Sequence, residues 1–283
     1  MEKKFLVCID SDGCIFDTME IKHKECFCPA YIKHFGLQAV SKYAREAWEF
    51  ANLYSATRGV HRLLALIRSM EVLALHPGVT ERGFTVPSMS ELKKYLSDGG
   101  PLLIPSLRKY LEAHPESDEF RTILAWSDEV NVRIGEMVHG VPPFPNVRKC
   151  LEKLSEHADV VIVSATPEEA LLREWEEHGL LSLVSAVKGQ ESGTKKEIIA
   201  SLKDKYEKDH VLMVGDAPGD LAAAKYNDVL FYPICPDGEA RSWAEFGAAI
   251  DAFLSEKYAG AQETEKIAYF ETLLPSEPIW YRG

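Results

Sequence analysis

The chain has no long apolar run. None of its hydrophobic stretches approaches the ~18 residues a membrane-crossing helix needs, and Asp10 cuts the apolar stretch after Lys3 and Lys4 before a secretory leader could form. It has no Asn-x-Ser/Thr acceptor. Its six cysteines (Cys8, Cys14, Cys26, Cys28, Cys150 and Cys235) contain no CxxC pair, so neither a zinc knuckle nor a disulfide scaffold is indicated. Cys8 lies inside a strand-like run and reads as a small buried hydrophobe. A reducing, cytoplasmic setting fits this usage. The chain also lacks an excess of basic charge. Lys+Arg number 32 against 44 Asp+Glu, a net −12, which argues against sequence-independent nucleic-acid binding. A small anionic substrate stays possible, because a local site can oppose the global sign.

What is present is ordinary globular material, 283 residues with 46% hydrophobic and 27% charged residues, enough for about two domains. Residues 3–10 (KKFLVCID) predict a buried strand. From about Asp17 to Val141 the pattern is almost wholly helical. Tyr43, Ala47, Phe50, Ala51 and Tyr54 recur at helical spacing, and Ser88 with Glu91 predicts a capping box. After VPPFPN the pattern alternates: DVVIVS, LVSAV, HVLMVGD and DVLFYPI predict strands, with amphipathic helices between them. Thr166 is expected to cap the helix that begins at Pro167. Strands alternating with helices, each strand continuously apolar, predict a parallel sheet covered on both faces. The expectation is therefore an α/β fold: a Rossmann-like, doubly wound core of residues 1–17 and 142–283, with an all-helical domain, 18–141, inserted after the first strand. The placement of the polar, aromatic C-terminal tail is not legible.

Three strands end in polar residues, Asp10, Ser164 and Asp216, and the carboxyl ends of parallel strands form the ligand crevice of such folds. Asp10, Asp12, Asp216 and Asp220 would then crowd together. Two like charges ~4 Å apart repel by about 4 kcal/mol at an effective dielectric of about 20. A hard cation such as Mg2+ would relieve that repulsion. Ser164 and the backbone N–H of Ala165, at a helix start, offer donors to a phosphate. Lys195 is the best candidate for a further cation, with Lys196 as runner-up. Gly189–Lys195 superficially suggests a nucleotide-binding loop, but it has three residues between its glycines and Thr before Lys, so it is rejected. Arg58, in the basic turn Arg58-Gly-Val-His-Arg62, could read the substrate.

FLVCIDSDGCIFDT, DVVIVSAT, GTKK and VLMVGDAPGD occur in that order, and they resemble the four motifs of the haloacid dehalogenase-like hydrolase superfamily. The helical insertion after the first motif resembles that family's cap. The resemblance implies Mg2+-dependent hydrolysis of a small phosphorylated metabolite through an aspartyl-phosphate. Asp10 would be the nucleophile, Asp12 the acid/base, and Ser164 and Lys195 the stabilisers of the phosphoryl charge. Mg2+ would be held by Asp10, the carbonyl of Asp12, Asp216 and Asp220. Asp12 argues against a halide or phosphonate substrate. Lys22 and Lys24 sit where a phosphonate-cleaving relative would carry its cap lysine, but an acidic residue two after the nucleophile disfavours that chemistry. A cap of this size is expected to close over the site. A phosphomutase of the same superfamily and a non-catalytic phosphate-binding protein are the alternatives. A sugar-phosphate isomerisation with little free phosphate would mark the first, and phosphate binding without turnover the second.

Overall fold

The computed structural model describes residues 3–282. The chain forms two compact units, one of residues 3–19 with 140–274 and the other of 20–139 with 275–282. The sequence reading puts everything after 142 into the sheet-bearing part. The structure differs at the end: from Pro275 onward the chain belongs to the helical unit.

Among its described residues, every regular element of the second unit is helical. The helix α1 (Ser41–Asn52) buries Ala44, Ala47, Trp48, Phe50 and Ala51 on one face. The next, α2 (Arg62–Ala74), is capped by His61, whose Nδ1 accepts the Leu63 N–H at 3.3 Å. The longest, α3 (Asp118–Met137), starts on Ser117, whose hydroxyl accepts the Phe120 N–H at 3.1 Å. Asp118 and Glu119 follow in the first turn, favourable to the helix dipole. Trp48 and Trp126 meet edge to face, ring centroids 6.0 Å apart, and both are fully buried. The predicted capping box at Ser88 does not form. That helix begins at Ser90 after Met89 in the left-handed region, and Glu91 instead accepts from the Ser117 hydroxyl.

Specific contacts draw the C-terminal segment here. The Ala56 N–H donates to the Pro275 carbonyl (3.1 Å) and Arg68 to the Ser276 carbonyl (2.7 Å). The Trp280 ring lies 5.0 Å from His76 and 5.8 Å from Phe50. No local periodicity could announce this, because the partners lie some two hundred residues upstream.

The first unit is a five-stranded parallel sheet: β1 (Phe5–Ile9), α4 (Val147–His157), β2 (Ala158–Val163), α5 (Glu168–Glu177), β3 (Ala186–Lys188), α6 (Lys195–Lys203), β4 (Val211–Gly215), α7 (Pro218–Asn227), β5 (Leu230–Pro233), α8 (Glu239–Leu254) and α9 (Ala261–Leu273). The strand order is β3-β2-β1-β4-β5. Phe5, Val7 and Ile9 pack toward one helical layer with Trp175, Trp243 and Phe246, and Leu6 and Cys8 toward the other with Ile198, Ile199 and Ala224. Two covered faces explain why the central strands β1 and β4 are apolar rather than alternating. Cys8 is fully buried, and burial pushes its thiol up to about 12, so it behaves as the expected small hydrophobe. The α7 helix ends on Asp228 in the left-handed region, while Asn227 turns inward to the carbonyls of Lys196 and Ala223.

Because β1 is central, the chain leaves it first toward β2 and β3 and later returns to lay β4 on the opposite side. The crevice of a doubly wound sheet opens at this reversal, beyond the carboxyl ends of β1 and β4. The Asp10 N–H bonds the Val214 carbonyl at 3.0 Å, so the ends of the two strands lie side by side.

Trp280→Ala is expected to lower stability by about 1–2 kcal/mol, less than a fully buried tryptophan would cost because the ring is only half covered. Denaturant unfolding measures this, and an unchanged midpoint would show that the tail does not stabilise the helical unit.

Candidate active site

Asp10, Asp216 and Asp220 converge beyond β1 and β4. Each offers an oxygen within 4.8 Å of the others, and the residues are 6%, 1% and 0% exposed. Lys195, at the first position of α6, places Nζ 2.6 Å from Asp10 Oδ2 and 2.5 Å from Asp220 Oδ1. Thr194 and Glu197 start that helix with a reciprocal capping box, which fixes where the lysine emerges. Lys196, one residue on, points elsewhere: its ammonium lies 5.2 Å from the centroid of the exposed Tyr226 ring.

The electrostatics are unbalanced. Burial pushes the Asp10 carboxyl up to about 7, with Lys195 opposing and Asp220 and Asp216 adding to the rise. Burial alone would lower Lys195, but the flanking Asp10 and Asp220 overcome it and hold the ammonium above the ordinary lysine range. One ammonium faces three carboxylates. An all-oxygen set this close and this deeply buried suits a hard divalent cation.

Asp220 depends on a glycine. A Cβ on Gly215 would lie 2.4 Å from the Asp220 carboxylate carbon. The bare backbone at the end of β4 is what lets Asp220 lie against it and accept the Ala217 N–H at 3.0 Å.

Asp12 is held apart from this cluster. Its Oδ1 accepts from the Thr18 hydroxyl at 2.5 Å and its Oδ2 from the Thr166 hydroxyl at 2.7 Å. The Asp12 side chain is therefore not among the converging carboxylates. Thr166 departs from its expected part. Pro167 occupies the cap position of α5, so the helix starts later than predicted and the Thr166 hydroxyl serves Asp12. The N–H groups near Ser164 thus belong to a bend ahead of the helix. Ser164 is buried and its oxygen accepts the Thr166 N–H at 3.2 Å, which leaves its hydroxyl proton to be donated. Ala165 beside it is exposed. Gly189 packs against this bend, where a Cβ would come within 2.7 Å of the Glu168 nitrogen.

Arg58 belongs to the helical unit, 3% exposed, with Nη1 donating to the Leu53 carbonyl at 2.9 Å. In the same unit Lys24 pairs with Glu20 and bonds the Tyr54 hydroxyl at 3.1 Å. Slight burial opposes these partners, yet Glu20 and Tyr54 keep its ammonium above the ordinary range. An imine-forming lysine needs the reverse shift.

Sequence reasoning missed Thr18, Thr166 and Ser11. Thr166 reads as a helix cap and Thr18 gave no signal of its own, and only the fold shows them meeting at Asp12. Ser11, between two conspicuous aspartates, gave no signal of its own.

Comparison with known proteins shows the family. A family model described as haloacid dehalogenase-like hydrolase matches residues 74–232. No curated protein matches the chain. Among solved structures, one described as a predicted phosphoglycolate phosphatase from Haemophilus somnus 129pt superposes with a TM-score of 0.51 at 13% identity, covering 88% of this chain and 99% of that one. A haloacid dehalogenase-like family hydrolase from Streptococcus pneumoniae gives 0.42 at 13% identity over 84% and 90%. A predicted phosphatase from Clostridium acetobutylicum gives 0.43 at 16% identity over 82% and 85%. At 13% identity the likeness to the first of these is one of fold.

Gly215→Ala is expected to destabilise the protein by about 1–3 kcal/mol through overpacking against Asp220. Gly219→Ala, where a Cβ meets nothing within 4 Å, should be neutral or stabilising. Equal denaturation midpoints for the two variants would contradict the tight approach at Gly215.

Proposed function

The chain belongs to the haloacid dehalogenase-like hydrolases, and from that membership and its buried acidic site we propose that it is a Mg2+-dependent phosphatase of a small phosphorylated metabolite, acting in the cytoplasm. The observation that carries this reading is the convergence of Asp10, Asp216 and Asp220, with Lys195 paired to Asp10 and Asp220 and with Asp12 held two residues from Asp10 by a separate pair of donors.

An Asp10 oxygen attacks phosphorus and forms the aspartyl-phosphate as the bond to the leaving oxygen breaks. Asp12, protonated, gives its proton to that oxygen. As a carboxylate it then takes a proton from water, whose oxygen attacks phosphorus, releasing inorganic phosphate and restoring Asp10. The Ser164 hydroxyl, the Ala165 N–H and the Lys195 ammonium meet the phosphoryl oxygens, where charge builds. Asp10, Asp216 and Asp220, with the carbonyl of Asp12, would hold Mg2+, which supplies positive charge to offset the carboxylates and the phosphoryl group.

Asp12 favours an ester over a halide, since an alkoxide leaving group needs a proton and a halide does not. The paired, protonated Lys24 gives no support to phosphonate cleavage through an imine. The Asp10 carboxylate lies below the surface, which suits a phosphoryl group on a slender ester better than one on a folded protein. Arg58 remains the proposed substrate-reading residue of the helical unit.

With Mg2+ present, the protein is expected to release phosphate steadily from p-nitrophenyl phosphate and from one or more members of a phosphometabolite panel. EDTA should abolish this, and Asp10→Asn should lower kcat by at least about a thousandfold. Undiminished turnover in Asp10→Asn would refute the covalent route. Interconversion of sugar phosphates with little free phosphate would replace the phosphatase reading with a mutase.

A further inference from the structure

Ser11 lies between the two aspartates of the first motif and is fully buried. Its main chain is heavily used. The N–H donates to Asp10 Oδ1 at 2.8 Å. The carbonyl accepts the N–H groups of Ile15 at 2.9 Å and of Cys14 and Phe16 at 3.3 Å, closing the turn that follows. Its hydroxyl is also saturated: it accepts the indole N–H of Trp175 at 3.0 Å and donates to Glu174 Oε2 at 3.2 Å. The edge-to-face contact of Trp175 with Phe16, centroids 5.9 Å apart, grips the far end of the same turn.

Trp175 and Glu174 stand near the end of α5, whose approach carries Ser164 and Thr166. This one segment therefore holds the catalytic loop twice. Thr166 grips the Asp12 carboxylate, and Trp175 with Glu174 grips Ser11, the residue that spaces Asp12 from Asp10. Resting on the assignment of Asp10 and Asp12 above, we propose that Ser11, Trp175 and Glu174 form a positioning clamp that fixes both aspartates relative to Ser164. Apart from the Ser11 main-chain N–H on Asp10 Oδ1, the clamp acts on the aspartates through the turn that carries them. Its effect is on the distance and angle at which Asp10 meets phosphorus and Asp12 meets the leaving oxygen, where a displacement of about 1 Å can cost up to a hundredfold in rate.

The chemistry explains the residue types. A serine hydroxyl is both donor and acceptor, so it can join an indole N–H to a carboxylate. An alanine or leucine at position 11 would leave the buried indole N–H without its acceptor.

The test compares Ser11→Ala, which removes the hydroxyl and leaves the Trp175 ring in place, with Trp175→Phe, which removes the N–H and keeps an aromatic ring. With p-nitrophenyl phosphate and Mg2+, each is expected to lower kcat about tenfold with KM within about twofold. The double variant should be no slower than the slower single, because both act through one hydrogen bond. The backbone amides of Cys14, Ile15 and Phe16 should exchange hydrogen about tenfold faster or more in both variants, with β1 amides unchanged. Wild-type kcat in Ser11→Ala, or exchange of those amides at the wild-type rate, overturns the clamp. So does a uniform loss of stability in which the β1 amides exchange faster as well. A wild-type protein that does not hydrolyse phosphate esters defeats the function proposed above. The exchange of the three amides then decides the clamp by itself: faster exchange upholds it and unchanged exchange ends it.

Discussion

Three carboxylates buried at the end of a parallel sheet, with a single ammonium among them, set the terms for the rest of the molecule. Such a group is unfavourable by several kcal/mol in repulsion and desolvation unless compensated. Lys195 bridging Asp10 and Asp220 is the compensation visible in the structure. The surrounding features keep that group together. Glycine at 215 makes room for Asp220, the capping box at Thr194 aims the lysine, and the backbone bond between Asp10 and Val214 joins the two strand ends.

A second tier of contacts governs the carboxylate that stays outside the cluster. Asp12 follows Asp10 by two residues, yet its surroundings are different in kind: hydroxyl donors in place of an ammonium and other acids. Two acidic groups close in sequence but in unlike environments suit two tasks, one needing a charged nucleophile and one a group that gives and takes a proton. The segment from Ser164 to Trp175 does much to maintain this separation. It gives a hydroxyl to Asp12 and an indole to Ser11.

The local rules of helix capping succeeded where only neighbours mattered and failed where a distant partner competed. Thr194 and Glu197 close a reciprocal capping box between near neighbours at the start of α6. Thr166 satisfies the same local rule, but Asp12, far away in sequence, takes its hydroxyl, and the helix begins later. Glu91 was likewise drawn to Ser117 from the following helix. The tail beginning at Pro275 is the largest case. It follows a helix of the sheet unit, yet its backbone and tryptophan find their partners in the helical unit.

The sequence by itself determined the parallel sheet, the long helical insertion and the acidic and lysine residues at the strand and helix ends. These are written in short-range signals: continuous apolar runs, helical periodicity, and polar residues at the ends of those runs. Only the tertiary structure decided that Lys195 rather than Lys196 reaches Asp10, that Thr18 and Thr166 meet at Asp12, that Ser11 is bound by Trp175 and Glu174, and that the last residues leave the sheet unit. Each of those depends on which side chains lie within about 3 Å of one another. That proximity is fixed by how the layers pack, and no local stretch of sequence contains it.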